Sequence, residues 1–394
     1  MTPSPHAMVL PGATIGFLGG GQLGRMAALA ARSMGYDVHV LDPDPHCPAA
    51  AVASRVVTAR FDDVEAAVDL ASQCAVVTLE IEQIARPVLE AAERHAPVRP
   101  GPNVAWIIQD RGRQKEWLAA HGVPLSAFRV AESEDACAAA VAELGPSVVK
   151  SCFGGYDGRG QARATTADEG RAAWRSVGAR RVVVERFLDI ALELSVLVAR
   201  RPDGALVVYP PAVNHHHGGV LAWSMLPGPL PTELVERATV VAAGIATAMG
   251  VEGVLAVELF LLADGTLAVN ELAPRPHNTY HASERGSVTS QFEQLVRAVC
   301  ALPLGATDSL QPAAIVNLLG DLWMGGTPDF AAALGGAGVR LHLYGKRTAR
   351  PGRKMGHLST IGSSAEDALA AALEAYERLG RGVAPGHATA GIAR

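Results

Sequence analysis

"VELFLLADGTLAVNEL", Val257 to Leu272, reads as a β-hairpin, because two alternating apolar runs flank Asp264-Gly265, a tight-turn dipeptide. A two-residue turn there sets Glu258 directly opposite Glu271 on one face, with Cβ atoms roughly 4.5–5.5 Å apart. Like charges so placed repel. The residues expected beside them on that face, Phe260, Leu262, Leu267 and Val269, are apolar, so water does little to dilute the repulsion. A divalent cation between the carboxylates resolves it, and an oxygen-only donor set points to magnesium. A carboxyl pair sharing one proton, or a slipped register, would also resolve it. Strict alternation turns Asn270 to the opposite face, so a place for it at the metal needs a local bend.

Upstream, "SCFGGYDGRGQ" (Ser151 to Gln161) follows Lys150 at the end of the short strand "PSVVK". A strand-terminal lysine beside a glycine loop suits a polyphosphate: amides line the phosphates and the ammonium neutralises them. The loop lacks the GxxxxGK[ST] spacing of a Walker A motif. Tyr156, Asp157 and Arg159, set between its glycines, suit a polar small molecule, whereas a plain surface loop is the bland reading. A second glycine loop, "GGGQLG" (Gly19 to Gly24), follows a strand and opens a helix, and Asp42 ends the next strand. That is the spacing of a dinucleotide fingerprint, which keeps an NAD-dependent dehydrogenase open as a rival reading. A tight turn whose helix start holds some other anion explains the same residues.

The 394 residues are 49% hydrophobic, enough for two or three cored domains, and the formal charge of −5 gives no reason to expect nucleic acid or a membrane surface as partner. No apolar run reaches the roughly 20 residues of a membrane span. The five cysteines show no CxxC spacing, and the first residues show no secretory pattern, so a reducing cytoplasm is the expected setting. Among 34 basic residues only Lys115, Lys150, Lys346 and Lys354 are lysine. In so arginine-rich a chain, a retained lysine is enriched for positions needing a compact point charge.

Residues 1–108 alternate strand and helix, as in an open parallel α/β domain. From 109 to 305 the pattern is α+β, with short strands over about 125–190 and then hairpins around Asp203-Gly204 and Asp264-Gly265. Residues 306–394 read as a small β-rich domain with a terminal helix. The expected fold class is therefore α/β followed by α+β.

Lys150, the glycine loop, "VVVERFLDIALE" and the Glu258/Glu271 hairpin occur in the order of an ATP-grasp enzyme, with a pre-ATP-grasp α/β domain before the grasp and a small domain after it. "GGYDGRGQ", "NELAPRPHNTYH", "SQFEQLVRAV" and "RPGRKMGH" make the finer match. From about Ile15 to about Gly362 the chain resembles the 5-(carboxyamino)imidazole ribonucleotide synthases of de novo purine biosynthesis. The resemblance implies a ligase that uses ATP, magnesium and bicarbonate to carboxylate 5-aminoimidazole ribonucleotide through carboxyphosphate, as a homodimer. Another ATP-grasp carboxylate–amine ligase is the near rival.

Carried over by position, Arg111, Lys115 and Lys150 would lie on the ATP side. Gly155, Tyr156, Asp157, Gly158, Arg159, Gly160 and Gln161 would form the lid. The backbone of Glu185, Arg186, Phe187 and Leu188 would read adenine, and Glu193 would take a ribose hydroxyl, with His216 nearby. Glu258, Asn270 and Glu271 would hold magnesium, the last two also touching ATP. Tyr156, Asp157, Arg159, Arg275, His277, Lys346, Arg353, Lys354 and Glu80 would face the aminoimidazole ribonucleotide and carboxyphosphate. Arg275, His277 and Lys354 are the residues expected in the chemistry. Gly21, Gln22 and Leu23 then become a wall of the ribonucleotide site.

Overall fold

The computed structural model describes residues 7–154 and 160–380. The N-terminal strands β1 (Thr14–Leu18), β2 (Asp37–Asp42), β3 (Arg55–Thr58) and β4 (Val76–Leu79) pair in parallel in the order β3-β2-β1-β4. Their apolar runs are continuous because helices cover the sheet on both sides: α1 (Gln22–Ser33), α2 (Val64–Ala71) and α3 (Arg86–Glu93). Helices α4 (Pro102–Ile108) and α5 (Arg111–Ala120) lead out of this domain, α5 being capped by the Asp110 carboxylate.

Next come β5 (Phe128–Ala131), α6 (Glu134–Leu144), β6 (Ser147–Ser151), β7 (Gln161–Ala164), α7 (Ala167–Val177) and β8 (Val182–Arg186). These strands form a separate antiparallel sheet, β5-β8-β6-β7, with its own small core against α6 and α7. The glycine loop joins β6 to β7 at the sheet's edge, and its residues 155–159 lie outside the described residues.

The large sheet collects β9 (Ile190–Arg200), β10 (Leu206–Val208), β11 (Ala212–His217), β12 (Val220–Leu226), β13 (Gly253–Leu262) and β14 (Leu267–Ala273). It continues without a break into β15 (Ala313–Leu319), β16 (Arg340–Leu343) and β17 (Lys354–Ile361), because β12 pairs with β15. Strand alternation splits its two faces cleanly. Leu194, Val196 and Val198 of β9 pack under α8 (Thr232–Met249) and α12 (Ala365–Glu377). Leu197 and Ala199 face a second core that includes α1, β1 and α10 (Gln291–Val299). That shared core fixes the N-terminal domain against the large sheet. The short helices α9 (Ser283–Gly286) and α11 (Phe330–Ala333) complete the described residues.

The hairpin that opened the sequence reading carries two compensating irregularities. The turn is three residues long, Ala263 to Gly265: Leu262 N–H donates to Thr266 O at 2.9 Å, and Gly265 takes a positive φ of 82°. It therefore pairs Leu261 with Leu267, Phe260 with Ala268 and Leu259 with Val269, which corrects the two-residue register expected from Asp264-Gly265. A bulge then shifts the register between Leu259 and Glu258, so that Glu258 faces Glu271 after all. Asn270 is the extra residue of the bulge, and this is the bend its role requires.

Beneath the sheet, a buried polar chain anchors the segment after β14. Asn214 Nδ2 donates to Ser195 Oγ at 3.0 Å, Ser195 Oγ to Thr279 Oγ1 at 2.9 Å, and Ser224 Oγ to Thr279 O at 2.8 Å. All four residues are at most 5% exposed, so no water replaces a lost partner. Thr279→Val is expected to lower stability by about 1–3 kcal/mol, the cost of leaving a buried hydroxyl unpaired. Urea unfolding beside wild type checks this; an unchanged midpoint would show that the chain does not anchor the segment.

Candidate active site

All three sheets contribute to a cavity of about 870 Å³, at the upper end of the size range for small-molecule sites. Lys150 of β6 and Glu185 of β8 stand at its ATP-expected end, with Arg186, Phe187 and Leu188 beyond them. Glu185 is buried, and both of its oxygens are paired: Lys115 Nζ lies 2.9 Å from Oε2 and Lys150 Nζ 3.0 Å from Oε1. Burial alone would push this carboxyl up, but the two ammonium groups outweigh it and hold it down at about 2.

Lys115 is 2% exposed, is not part of the cavity wall, and spends its remaining contact on Val269 O at 3.3 Å. The expectation that Lys115 contacts ATP is therefore corrected: it lies beneath the wall and holds Glu185. Lys150 does reach the cavity. Its ammonium is 3.4 Å from Asn270 Oδ1, which links the β6 strand end to the bulge. The guanidinium of Arg186 turns away to Leu144 O at 3.2 Å, and its backbone is held by Ala127 O and the Ser126 hydroxyl, both at 2.8 Å.

In the middle of the cavity stand Glu258, Asn270 and Glu271. Asn270 Nδ2 donates to Glu258 Oε2 at 3.0 Å, and Arg111 NH2 lies 3.4 Å from Glu271 Oε2. Burial raises the Glu258 pKa, His216 draws it back, and the Glu271 charge raises it further. Two opposed carboxylates and one amide oxygen are the donors a hard divalent cation takes, so the residues fit magnesium. His216 Nδ1 contacts Glu193 Oε2. Burial works against the imidazolium, but the Glu193 hydrogen bond and the Glu258 charge prevail and raise its pKa.

His277 sits at the junction of the cavity with the buried polar chain. Its Nδ1 is 2.9 Å from Thr279 Oγ1 and its Nε2 is 3.5 Å from Glu258 Oε1. Ser195 already donates to Thr279, so the Thr279 hydroxyl donates onward to His277 Nδ1 and leaves the proton on Nε2, facing Glu258. Burial first, then Arg275, Lys354 and His216, keep this imidazole neutral, its pKa well below the usual value. Gln291 fixes the His277 backbone from both sides, at 2.8 and 2.9 Å. Arg275 is held by Glu82 at 2.7 Å.

At the far end the "GGGQLG" loop closes around a side chain. Gly21 N–H and Gly24 N–H donate to the two oxygens of Glu80 at 2.7 and 3.1 Å. A Cβ at Gly19 or Gly21 would come within 2.9 Å of that carboxylate or nearer, and one at Gly24 would meet Gly19 O at 2.9 Å and the Glu80 methylene at 3.2 Å. Asp42 accepts from Gly20 N–H and Asp44 N–H, both at 2.8 Å. The anion at this helix start is therefore the protein's own, and the ribose-binding carboxylate of the dinucleotide reading is spent on its own loop. Lys346 bridges from the C-terminal segment to Gln22 Oε1 at 2.8 Å and Lys354 O at 2.6 Å, and Gln22, Leu23, Glu80, Lys346 and Lys354 all line the cavity. Arg353 does not line it; its guanidinium donates to Thr348 O at 2.8 Å. Gly155, Tyr156, Asp157, Gly158 and Arg159 lie outside the described residues; Gly160 and Gln161 line the cavity.

Comparison with known proteins finds matches over most of the chain. Residues 12–109 match a ribonucleotide synthetase preATP-grasp domain, 116–292 an ATP-grasp domain, and 313–371 a phosphoribosylaminoimidazole carboxylase C-terminal domain. The N5-carboxyaminoimidazole ribonucleotide synthase of Brucella melitensis is 39% identical over 354 residues, which is 89% of this chain and 97% of that one. The chain belongs to the N5-carboxyaminoimidazole ribonucleotide synthase family. The Bacillus subtilis synthase is likewise 39% identical, over 89% of this chain and 92% of its own. An ADP complex of such a synthetase superposes with a TM-score of 0.89 at 39% identity, covering 95% of this chain and 98% of that one. The Aspergillus clavatus synthase in complex with ADP and 5-aminoimidazole ribonucleotide gives 0.86 at 29% identity, covering 96% and 100%.

Sequence reasoning missed the supports of this synthase-family site: Ser195, Asn214, Ser224, Thr279, Gln291 and Glu82. A faint signal exists for Ser195, one polar residue inside the apolar run "LELSVLV", and for Glu82, two residues after Glu80. Glu80 itself has a measurable consequence. Burial raises its pKa from 4.5 to about 7 against the pull of the Gly24 and Gly21 amides and Arg275. A carboxyl raised on folding stabilises the protein while protonated, in full below about pH 4.5, and that contribution is lost as pH rises to about 7. The loss amounts to about 3 kcal/mol. Urea unfolding across pH 4.5–7.5 is expected to show this component in wild type and not in Glu80→Gln; parallel curves for the two proteins would remove it.

Proposed function

We propose that this chain carboxylates 5-aminoimidazole ribonucleotide at its amine, consuming ATP and bicarbonate and releasing ADP and phosphate, with carboxyphosphate as the intermediate. The observation that carries the reading is the single cavity, in which Glu258, Asn270 and Glu271 stand between a lysine-lined end and a basic end bearing Arg275, His277, Lys346 and Lys354. Two substrates entering from opposite ends would meet at the carboxylates. The division into 1–108, 109–305 with a lid over about 125–190, and 306–394 follows the same logic, each part supplying one wall.

At the ATP end, the backbone from Glu185 to Leu188 takes adenine, Glu193 a ribose hydroxyl, and Lys150 with Arg111 the phosphates. Phosphoryl transfer gives the protein little covalent chemistry to do, so placing compact positive charge where negative charge develops is the main task. Glu258 and Glu271 with Asn270 would hold magnesium, whose charge would help neutralise the transferring phosphate. The resemblance gives Gly155 to Gln161 the part of a lid that keeps water from carboxyphosphate, and gives Tyr156, Asp157 and Arg159 a role toward the second substrate.

At the other end, Lys346 and Lys354 face the ribonucleotide phosphate, and Gln22 and Leu23 form the wall behind it. Arg353 joins them if it swings from Thr348. Arg275 orients the carboxyphosphate. His277, neutral and with its Nε2 proton toward the carboxylate pair, positions that intermediate and gives that proton as carbon dioxide reaches the amine. The resemblance extends the proposal to a homodimer working in the cytoplasm.

Purified protein supplied with ATP, magnesium and bicarbonate is expected to release phosphate faster when 5-aminoimidazole ribonucleotide is added. Absence of that stimulation overturns the reading. Glu271→Gln should fold as wild type does by circular dichroism yet lose roughly 100-fold or more in turnover, the scale of removing one transition-state contact. Retained magnesium-dependent turnover would refute the metal assignment.

A further inference from the structure

Away from the cavity, β16 and β17 carry a group of imidazoles that the proposed reaction does not use. His342 of the edge strand β16 is paired directly with His357 of β17. Glu284 of α9 reaches toward them, its Oε2 3.9 Å from His342 Nδ1. One ligand atom from each of Glu284, His342 and His357 falls within 4.8 Å of the other two, and none of these residues lines the cavity.

The ring of His357 is held on several sides. The rings of His281 and His342 stack against it at 4.8 and 5.2 Å, and the Tyr344 hydroxyl meets its Nδ1 at 2.8 Å. A neutral His357 that donates Nδ1–H to Tyr344 presents the Nε2 lone pair, which is how a metal-binding histidine is oriented by its outer partner. His342 and Glu284 have side chains 20% and 30% exposed, so they border solvent and have room to turn. Burial lowers the pKa of both imidazoles, well below the usual value for His357, so each ring is neutral near pH 7 and keeps one nitrogen lone pair for a metal.

We infer that Glu284, His342 and His357 form a binding site for one divalent transition-metal ion, with Zn²⁺ the best match, which clamps the edge strand β16 to α9. Two imidazole nitrogens and one carboxylate oxygen are a zinc-type donor set and a poor one for magnesium, so the ion in the cavity and this one do not compete. Ligand distances of about 2.0–2.2 Å place the donors around a tetrahedral ion roughly 3.3–3.5 Å apart. Rotation of the His342 ring, now nearly parallel to that of His357, and a turn of the Glu284 side chain bring the donors to that spacing, and solvent supplies the fourth ligand on the open side. Arg25 and Arg340, whose charges reach His342 and Glu284, oppose the cation and weaken the site without removing a ligand.

The test uses the full chain, stripped with a chelator and titrated with Zn²⁺ alone by calorimetry, beside His342→Ala and Glu284→Gln. Wild type is expected to bind one equivalent more than His342→Ala. Glu284→Gln should bind that equivalent at least tenfold more weakly, since the carboxylate charge is gone. Co²⁺ should give wild type the visible absorption of a tetrahedral site, and His342→Ala should lose it. Both variants should keep magnesium-ATP turnover and circular dichroism unchanged. Identical titrations of all three proteins, or a cobalt spectrum that survives both substitutions, overturn the inference. Glu284 is solvent-facing, so its variant decides the matter if His342→Ala fails to fold.

Discussion

The register of one hairpin decides where the cavity's chemistry is placed. Glu258 and Glu271 face each other because two one-residue errors cancel: a three-residue turn moves the pairing by one, and the bulge at Asn270 moves it back. Without the bulge, continuing the Leu259–Val269 register would put Asn270 opposite Glu258 and send Glu271 to the core face. With it, Asn270 and Glu271 are successive yet both line the cavity. The bulge is therefore what gathers two carboxylates and an amide in one place, and it does so in the middle of a sheet whose neighbouring strands are tightly packed. β9 pairs with β13 along nearly its whole length, which denies the strand the freedom to straighten.

The same region handles its charge in layers. Lys115 is fully buried, and an isolated ammonium there would lose its proton. Glu185 prevents that, and shares its other oxygen with Lys150. The stack Lys115–Glu185–Lys150 has one net positive charge, and Lys150, its outermost member, is the one that meets the cavity. Removing one partner from such a buried set costs more than never having built it. Lys115 therefore acts on the phosphate end from a distance: it neutralises half of the carboxylate that would otherwise claim the whole of Lys150.

Fold and site were legible in the sequence to different degrees, for physical reasons. Strand and helix alternation and the presence of the hairpin follow from local pattern, whereas the facing of Glu258 and Glu271 holds only because the longer turn and the bulge offset each other. The bulge was legible only as a requirement: Asn270 needed a bend that nothing local demanded. The turn was misread because Asp-Gly suits both two-residue and three-residue loops once Gly265 adopts a positive φ. Buried partners were invisible. That Lys115 and Lys150 share Glu185 depends on α5, β6 and β8 converging across 70 residues, and no spacing encodes it. Ser195, Asn214, Ser224 and Thr279 are each ordinary in their own strand or loop; their meaning lies only in the chain of hydrogen bonds that sets the His277 tautomer.

The glycine loop after β1 shows why a motif cannot be read without its surroundings. GxGxxG exposes amides at a helix start, and amides there call for an anion. In a dinucleotide site that anion is a pyrophosphate. Here Glu80, from the end of the neighbouring strand β4, supplies it from within the fold. Gly19 and Gly21 are still needed, but for the approach of a carboxylate rather than of a cofactor, and Gly24 for the closeness of the loop's own backbone. Filling the site internally converts a binding loop into a rigid wall, and the wall carries Gln22 to Lys346, a polar contact between the first domain and the last beside their shared core. A loop holding a mobile ligand could not serve as that fixed point.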